Sequence, residues 1–168
     1  MTFPVRLSRL AFVALLLFPS LAVAQSADPV TVFVVRHAER ESSESDSPLS
    51  EVGTSRAERL AEMLKDAGIT HAFSTEFART RETVAPLATR LGLRATVVPG
   101  RDLNTLISAL QALAPGSRAL VAGHSNTINQ IAGRLSATEI PALPETEYDR
   151  LYVVTIFEGK VSVVLVRY

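Results

Sequence analysis

Strand and helix patterns alternate four times along the chain, and this alternation limits the fold more than any other feature. The first unit is the β-branched run 30–35 (VTVFVV), followed by a helix whose apolar residues recur every three or four positions and which Ser50 can cap. Similar pairs follow at 71–91, at 93–113 with its strand over 93–99, and at 119–135. Two β-rich segments separated by a short turn close the chain. The pattern predicts a three-layer α/β/α sandwich with a mostly parallel central sheet and a C-terminal antiparallel hairpin.

The N-terminus carries a pattern of its own. Arg6 and Arg9 precede an apolar stretch, and Ala22-Val23-Ala24 supplies the small residues of a cleavage site. These features predict a signal peptide over residues 1–24, cleaved after Ala24, and therefore a periplasmic or secreted protein. The alternative is a membrane anchor, but the apolar run is interrupted at Pro19, short of the roughly 20 residues of a spanning helix. The rest, residues 25–168, has the length of one domain.

Composition excludes several classes of partner. The sequence has no cysteine, so disulfides contribute nothing to its stability. Without the signal segment, 15 basic and 17 acidic side chains remain, and this balance provides no general field for nucleic acid or for an anionic membrane. We therefore expect a small ligand bound by a local site, no nucleic acid, and no stable membrane insertion after cleavage. The oligomeric state is not indicated.

Two histidines occupy matched positions at strand ends. Arg36 and His37 follow the first predicted strand, and His124 follows the strand ALVAG at 119–123. In an open α/β sheet, ligands bind beyond the carboxyl ends of the strands. Each histidine alone is most simply a packing residue, but two at equivalent ends, one beside an arginine, predict a ligand site. His71 precedes its strand and is expected to be a surface or packing residue.

A second arginine belongs near this site. Arg79 falls in the first turn of the second predicted helix, where the helix dipole disfavours a cation unless an anion is close. The simpler alternative is an ion pair with Glu76 or Glu82. The helix after GHSNT would be capped by Ser125 or Asn126, adding free N–H groups that favour anions.

Two histidines and two arginines suit a phosphoryl group. The first rival is a metal site formed by His37, His124 and a carboxylate such as Glu39. Arg36 argues against it, because a fixed cation beside a metal ion costs Coulomb energy. The P-loop, HExxH and GxSxG patterns are absent from the sequence.

Four segments together resemble the histidine phosphatase superfamily, the phosphoglycerate mutase-like proteins. VVRHAER is similar to the first-strand Arg-His-Gly motif, with Ala38 at the third position. DSPLSEVG resembles the Pro-Leu-Thr…Gly segment, TEFARTRETV contains Arg-x-x-x-Thr through Arg79 and Thr83, and VAGHSNTI resembles the second-histidine motif. The four occur in the family's order.

The resemblance implies roles for these residues. His37 would be the nucleophile that becomes phosphorylated, and Arg36, Arg79 and His124 would hold the non-bridging oxygens. Ser125 and Asn126 would add hydrogen bonds to the phosphate at the rim. No metal and no organic cofactor is implied.

The acid that protonates the leaving group in many relatives has no clear counterpart. Residues 84–123 hold one carboxylate, Asp102, which is more simply the cap of the helix beginning at Leu103. Glu39 and Asp46 are the other candidate proton donors. Some short relatives that act on phosphohistidine lack this acid.

The expected function is a cofactor-independent phosphatase of phosphomonoesters, of the histidine acid phosphatase type. Export suggests envelope phosphosugars as substrates, since histidine-kinase relays and glycolytic intermediates are cytoplasmic. Phosphohistidine phosphatase activity is one alternative. The other is a non-catalytic module that binds phosphate or phosphoglycan. The loops at 41–48 and 136–150 are expected to border the pocket.

Overall fold

The computed structural model describes residues 28–168. The predicted signal peptide and its cleavage after Ala24 lie outside the described residues. Ten elements follow in the order β1 (Val30–Arg36), α1 (Glu51–Leu64), β2 (His71–Ser74), α2 (Ala78–Arg90), β3 (Thr96–Val97), α3 (Leu103–Gln111), β4 (Arg118–Gly123), α4 (Ile128–Ser136), β5 (Arg150–Phe157) and β6 (Lys160–Arg167). Within residues 28–168, no helix combines the length and the apolar character needed to cross a membrane.

One six-stranded sheet carries the whole fold, in the order β3-β2-β4-β1-β5-β6. The first four strands in this order pair in parallel, β2 with β3, β2 with β4, and β1 with β4. β5 pairs antiparallel with β1 and with β6, and Glu158 and Gly159 form the turn of the terminal hairpin. The predicted fold class is confirmed, and the hairpin lies at one edge of the sheet.

Helices cover both faces of this sheet, because each strand of its centre is apolar on both sides. One face packs α3 and α4 through Leu106, Leu110, Ile128 and Ile131 against Val32, Val34 and Val121. The other packs α1 and α2 through Leu60, Leu64, Val84 and Leu87 against Phe33, Val35 and Leu120. Helices thus pack against both faces of the central strands, and this packing positions the side chains at the carboxyl ends of those strands.

Local signals at helix ends were partly correct. Ser50 caps α1 by accepting from Gly53 N, and Asp102 caps α3 by accepting from Thr105 N. The prediction for α4 was wrong: its N-cap is Thr127, because Ser125 turns instead toward a distant loop. The strand predicted over 93–99 is shorter than expected, only Thr96–Val97.

Two loops reach the carboxyl ends of β1 and β4. The β1–α1 loop comprises residues 37–50, and the α4–β5 loop comprises residues 137–149. Each is anchored by one of the arginines predicted to bind phosphate, through the contacts described below.

Candidate active site

The parallel register of β1 and β4 brings the two predicted histidines together. Arg36 lies opposite Gly123, so His37 and His124 leave neighbouring strands at the same level. His37 N donates to Gly123 O at 2.9 Å, and the two imidazole rings lie 5.4 Å apart between centroids. Gly123 is required at this position, because an added Cβ would stand 2.9 Å from Thr127 Oγ1.

His37 is buried, only 4% exposed, and has a fixed tautomer. Its Nδ1 lies 2.8 Å from the carbonyl oxygen of Ala38. A carbonyl can only accept, so Nδ1 carries the proton and Nε2 keeps its lone pair. Burial lowers the pKa of His37 to about 3, and the charges of His124, Arg79 and Arg36 act in the same direction. The imidazole is therefore neutral at ordinary pH, with an unprotonated Nε2.

His124 is held in the opposite tautomer. Arg79 Nη2 lies 3.5 Å from His124 Nδ1, and because a guanidinium only donates, Nδ1 accepts. The ring proton is then on Nε2, which lies 3.2 Å from Thr75 Oγ1. Burial, followed by the charge of Arg79, lowers the pKa of His124 to about 4. An anion bound between these residues would favour its protonated form.

Arg36 is almost fully buried and is surrounded by the α4–β5 loop. Its Nη1 donates to the main-chain carbonyls of Pro144, Glu145 and Glu147 at 3.4, 2.7 and 3.1 Å. Its Nη2 donates to Glu145 Oε2 at 2.8 Å and to the hydroxyl of Tyr148 at 3.3 Å. The Tyr148 ring covers the guanidinium, with its centroid 4.0 Å from Cζ. Arg36 thus anchors the loop while keeping its charge at the end of β1.

Arg79 occupies the first turn of α2 and anchors the other loop. Its Nη1 donates to Ser45 O at 2.7 Å, and its guanidinium packs over the Phe77 ring at 4.4 Å. Burial and then the nearby charge of Arg40, with a contribution from Arg36, lower the pKa of Arg79. The charges of Asp46 and Glu76 act in the opposite direction, so arginines and carboxylates lie close together in this region.

Two donors in this region have no acceptor among the described residues. Arg36 Nε and Arg79 Nε are both buried and unpartnered. A buried charged donor without an acceptor is costly, so its presence indicates a ligand that supplies one. A phosphoryl group offers three acceptor oxygens with the right charge.

Thr83 connects the two arginine-bearing segments. Its hydroxyl donates to Arg79 O at 2.7 Å and accepts from Ala38 N at 2.9 Å. The Arg-x-x-x-Thr pattern therefore has a structural reason: one turn of α2 ties the arginine's main chain to the backbone just after His37.

Of the two predicted rim residues, only Ser125 is engaged in the site. Its hydroxyl donates to Glu145 Oε1 at 2.5 Å. Asn126 is exposed, and its main-chain oxygen accepts from the side chain of Gln130.

The three candidate proton donors are each engaged outside the histidine pair. Burial raises the pKa of Glu39, but three hydrogen bonds from Arg56 hold this pKa below its usual value. Asp46 Oδ1 accepts from Ala78 N at 2.6 Å, at the start of α2. Asp102 binds both the main chain and the hydroxyl of Thr105, which lowers its pKa.

The ion pairs considered for Arg79 do not form. Glu76 instead accepts from Gly100 N at 2.6 Å, and Glu82 accepts from Leu49 N at 2.7 Å. A Cβ added to Gly100 would lie 3.4 Å from both Glu76 Oε2 and His124 Nε2, so Glu76 flanks the pocket on the His124 side.

Glu145 and Tyr148 contact Arg36 but were not predicted from the sequence as site residues. Both lie in the Pro-containing loop that was expected to border the pocket, but their partner Arg36 is more than a hundred positions away. In the sequence, the two residues are only a glutamate and a tyrosine in an irregular loop. Nothing in the pattern of that loop identifies Arg36 as their partner.

The comparisons with known proteins agree with this geometry. Residues 32–104 match the family model of the histidine phosphatase superfamily (branch 1). This range includes Arg36, His37 and Arg79, and His124 lies beyond it. The fold places His124 beside His37 at the end of the neighbouring strand. The match covers less than half of the chain, and residues 32–104 are therefore similar to this superfamily.

Curated relatives include proteins named "Probable phosphoglycerate mutase GpmB" from Yersinia pestis and Yersinia pseudotuberculosis. They are 37% identical over 81 residues, which cover 44% of this chain and 38% of theirs. The match thus spans less than two-fifths of the length of these relatives.

Solved structures extend the likeness over the whole domain. The protein histidine phosphatase SixA, complexed with tungstate, superimposes with a TM-score of 0.67 at 23% identity and covers 82% of this chain and 96% of its own. A mycobacterial glucosyl-3-phosphoglycerate phosphatase superimposes with a TM-score of 0.64 at 14% identity, covering 82% and 97%. At these identities the likeness establishes the shared fold.

The side chains around the histidines do not resemble a metal site. Within residues 28–168, no three His, Asp or Glu side chains form a cluster able to hold a metal ion. Glu39, the carboxylate considered for such a site, pairs with Arg56, and the neighbours of His37 include two arginines.

Proposed function

We propose that the protein is a metal-independent phosphatase that hydrolyses phosphomonoesters through a phosphohistidine on His37. The observation that carries the proposal is the fixed tautomer of His37, whose Nδ1–H donates to Ala38 O and leaves the Nε2 lone pair free. A neutral imidazole with an unprotonated Nε2, next to two unpartnered arginine donors, suits attack on a phosphate dianion.

The reaction divides into two displacements. His37 Nε2 attacks phosphorus, the bond to the ester oxygen breaks, and the alcohol leaves with a proton from an acid or from water. Water then attacks the phosphohistidine, the P–N bond breaks, phosphate leaves, and the proton lost by water passes to solvent. Arg36, Arg79 and His124 would hold the non-bridging oxygens and stabilise the charge in transit. The hydrogen bond to Ala38 O would stabilise the imidazolium of the intermediate.

Phosphohistidine phosphatase activity is the second candidate. Two observations favour it: the fold shared with SixA, a protein histidine phosphatase, and the engagement of Glu39, Asp46 and Asp102 elsewhere. A phosphoramidate leaves more readily than an alkoxide, so it needs less acid catalysis.

We also propose export, with phosphosugars of the cell envelope as substrates. The support is the sequence of residues 1–24, with two arginines, an apolar stretch and Ala22-Val23-Ala24. Mass spectrometry of the purified protein should show an N-terminus at Gln25 in the periplasmic fraction. An intact N-terminus in the cytoplasmic fraction would overturn this part.

The activity is tested with para-nitrophenyl phosphate from pH 4 to 8 in EDTA. We expect turnover in the wild type, its loss in His37→Ala, and its retention in His71→Ala, a matched control because His71 lies at the start of β2 and bonds Thr70. Turnover abolished by EDTA would contradict the mechanism in favour of a metal site. Absence of turnover in the wild type, with phosphate still raising the melting temperature, would favour the non-catalytic binding module.

A further inference from the structure

A carboxylate of the protein itself already binds two groups expected to bind phosphate. Glu145 Oε2 accepts from Arg36 Nη2 at 2.8 Å, and Glu145 Oε1 accepts from Ser125 Oγ at 2.5 Å. Ser125 lies directly after His124, and Arg36 directly precedes His37. The glutamate therefore bridges the two histidine-bearing strand ends with a negative charge.

In the ion pair between Glu145 and Arg36, the glutamate side chain is exposed and the arginine side chain is buried. The Glu145 side chain is 77% exposed, while that of Arg36 is 4% exposed. The hydrogen bond from Ser125, supported by the charge of Arg36, holds the pKa of Glu145 below its usual value, so the group is ionised at neutral pH. Because the side chain faces solvent, it can leave without opening the core.

The loop would stay in place if the carboxylate left. Arg36 Nη1 holds the main-chain carbonyls of Pro144, Glu145 and Glu147, and Tyr148 covers the guanidinium face. Departure of the side chain alone would free Arg36 Nη2 and Ser125 Oγ, two donors that converge with the unpartnered Arg36 Nε. An incoming phosphoryl group would then replace one anion with another.

We infer that Glu145 is an internal anion that occupies part of the phosphate site and must be displaced before a phosphoryl group binds fully. The inference rests on the proposed function only in that it takes this pocket as a phosphate site. A ligand that must displace an internal group binds with an affinity reduced by the fraction of molecules in the open state. Glu145 thereby determines which ligands bind, because only those with enough negative charge compete for Arg36.

The alternative role for Glu145 is proton donation to the leaving group, and the two roles predict opposite results. A competing anion lowers affinity for phosphate and leaves chemistry intact, so its removal should lower Kd and KM. A proton donor acts in the chemical step, so its removal should lower kcat with little change in phosphate binding.

Titration calorimetry with inorganic phosphate tests the inference independently of turnover. The proteins are the wild type expressed from its full-length gene, Glu145→Gln, Glu145→Ala, and Glu139→Gln as the matched control. Glu139 lies in the same α4–β5 loop, is exposed, and makes no hydrogen bond or ion pair within residues 28–168. We expect the phosphate Kd to fall about tenfold in both Glu145 variants and to stay unchanged in Glu139→Gln.

The possible results separate the claims. Tighter phosphate binding in both Glu145 variants supports the inference even if no ester is turned over, in which case only the proposed phosphatase function fails. Unchanged or weaker phosphate binding in the Glu145 variants overturns it, as does a fall in kcat at constant KM. Phosphate binding to none of the four proteins overturns it too, and with it the phosphate site itself.

Discussion

The β1–α1 and α4–β5 loops meet the same pocket but contribute to it in different ways. The first supplies a main-chain carbonyl, Ser45 O, to Arg79, and its Asp46 binds the start of α2. The second supplies carbonyls to Arg36 and also extends a carboxylate, Glu145, toward Ser125. One loop therefore supports an arginine and leaves the pocket free, whereas the other supports an arginine and partly fills the pocket. The carboxylate of Glu145 accounts for this difference between the two loops.

The largest expected effects come from replacing Arg36 or Arg79, and the two replacements should differ in their effect on stability. Arg36→Ala should lower kcat/KM by about 10³-fold, as loss of an oxyanion donor does. It should also destabilise the protein by about 2–3 kcal/mol, because three carbonyls of the α4–β5 loop lose their buried donor. Arg79→Ala should lower kcat/KM by about 10²- to 10³-fold with less than about 1 kcal/mol of destabilisation, since it removes a cation from a cluster of cations. Kinetics with urea unfolding of both variants measures the contrast. Equal destabilisation would contradict the different anchoring of the loops.

Acid should destabilise the pocket beneath both loops. The pKa of His37 falls from 6.5 to about 3 on folding. The unfolded state therefore binds a proton first as the pH falls below 6.5, and stability decreases between pH 6.5 and 3. Between pH 7 and 4, the wild type should lose about 2–4 kcal/mol more than His37→Gln, measured by urea unfolding at each pH. Parallel pH profiles for the two proteins would show that His37 is not buried in its neutral form.

A smaller effect tests what holds the base of the β1–α1 loop. A Cβ at Gly53 would stand 2.1 Å from the carbonyl oxygen of Glu39, so α1 can approach the loop only without a side chain there. Gly53→Ala should cost about 1–3 kcal/mol through forced displacement of the backbone. Thr54→Ala, at the next and exposed position, is the matched control and should change stability by less than about 0.5 kcal/mol. Equal urea midpoints for the two variants would contradict the close approach.

The smallest expected effect completes the comparison of the loops. Asp46→Ala removes the acceptor for Ala78 N and should destabilise α2 by about 0.5–1 kcal/mol. Phosphate affinity and turnover should stay within about twofold, since the side chain supports the helix rather than the ligand. Calorimetry and steady-state kinetics measure both. A large fall in kcat at constant KM would instead identify Asp46 as the proton donor.

The fold could be predicted from the sequence because its signals are local. Apolar runs such as 30–35 and the three- to four-residue periodicity of the helices identified the alternating elements, and Ser50 and Asp102 were correct as caps. The order β3-β2-β4-β1-β5-β6 depends on pairing between distant strands, which periodicity does not encode. The α4 cap failed for the same reason, since Ser125 is drawn to Glu145, twenty positions away.

The site, like the fold, could be predicted where the signals are local and could not where the contacts join distant positions. The pairing of His37 with His124, and the nearness of Arg79, followed from residues at strand ends and helix starts, which a parallel sheet brings to one edge. The contact of Glu145 with Arg36 crosses 109 positions and depends on the path of an irregular loop. Such a loop has no period from which its side-chain directions can be inferred.

The proposed mechanism depends on phosphorylation of His37, and trapping the phosphoenzyme would reveal this intermediate. The wild type and His37→Asn would be mixed with para-nitrophenyl phosphate in EDTA, quenched in alkali, where phosphohistidine survives, and mapped by mass spectrometry. We expect one phosphoryl group on the wild-type peptide that contains His37 and none on the corresponding peptide of the variant. Turnover in EDTA with no phosphorylated peptide, or with the phosphoryl group on another residue, would contradict this mechanism.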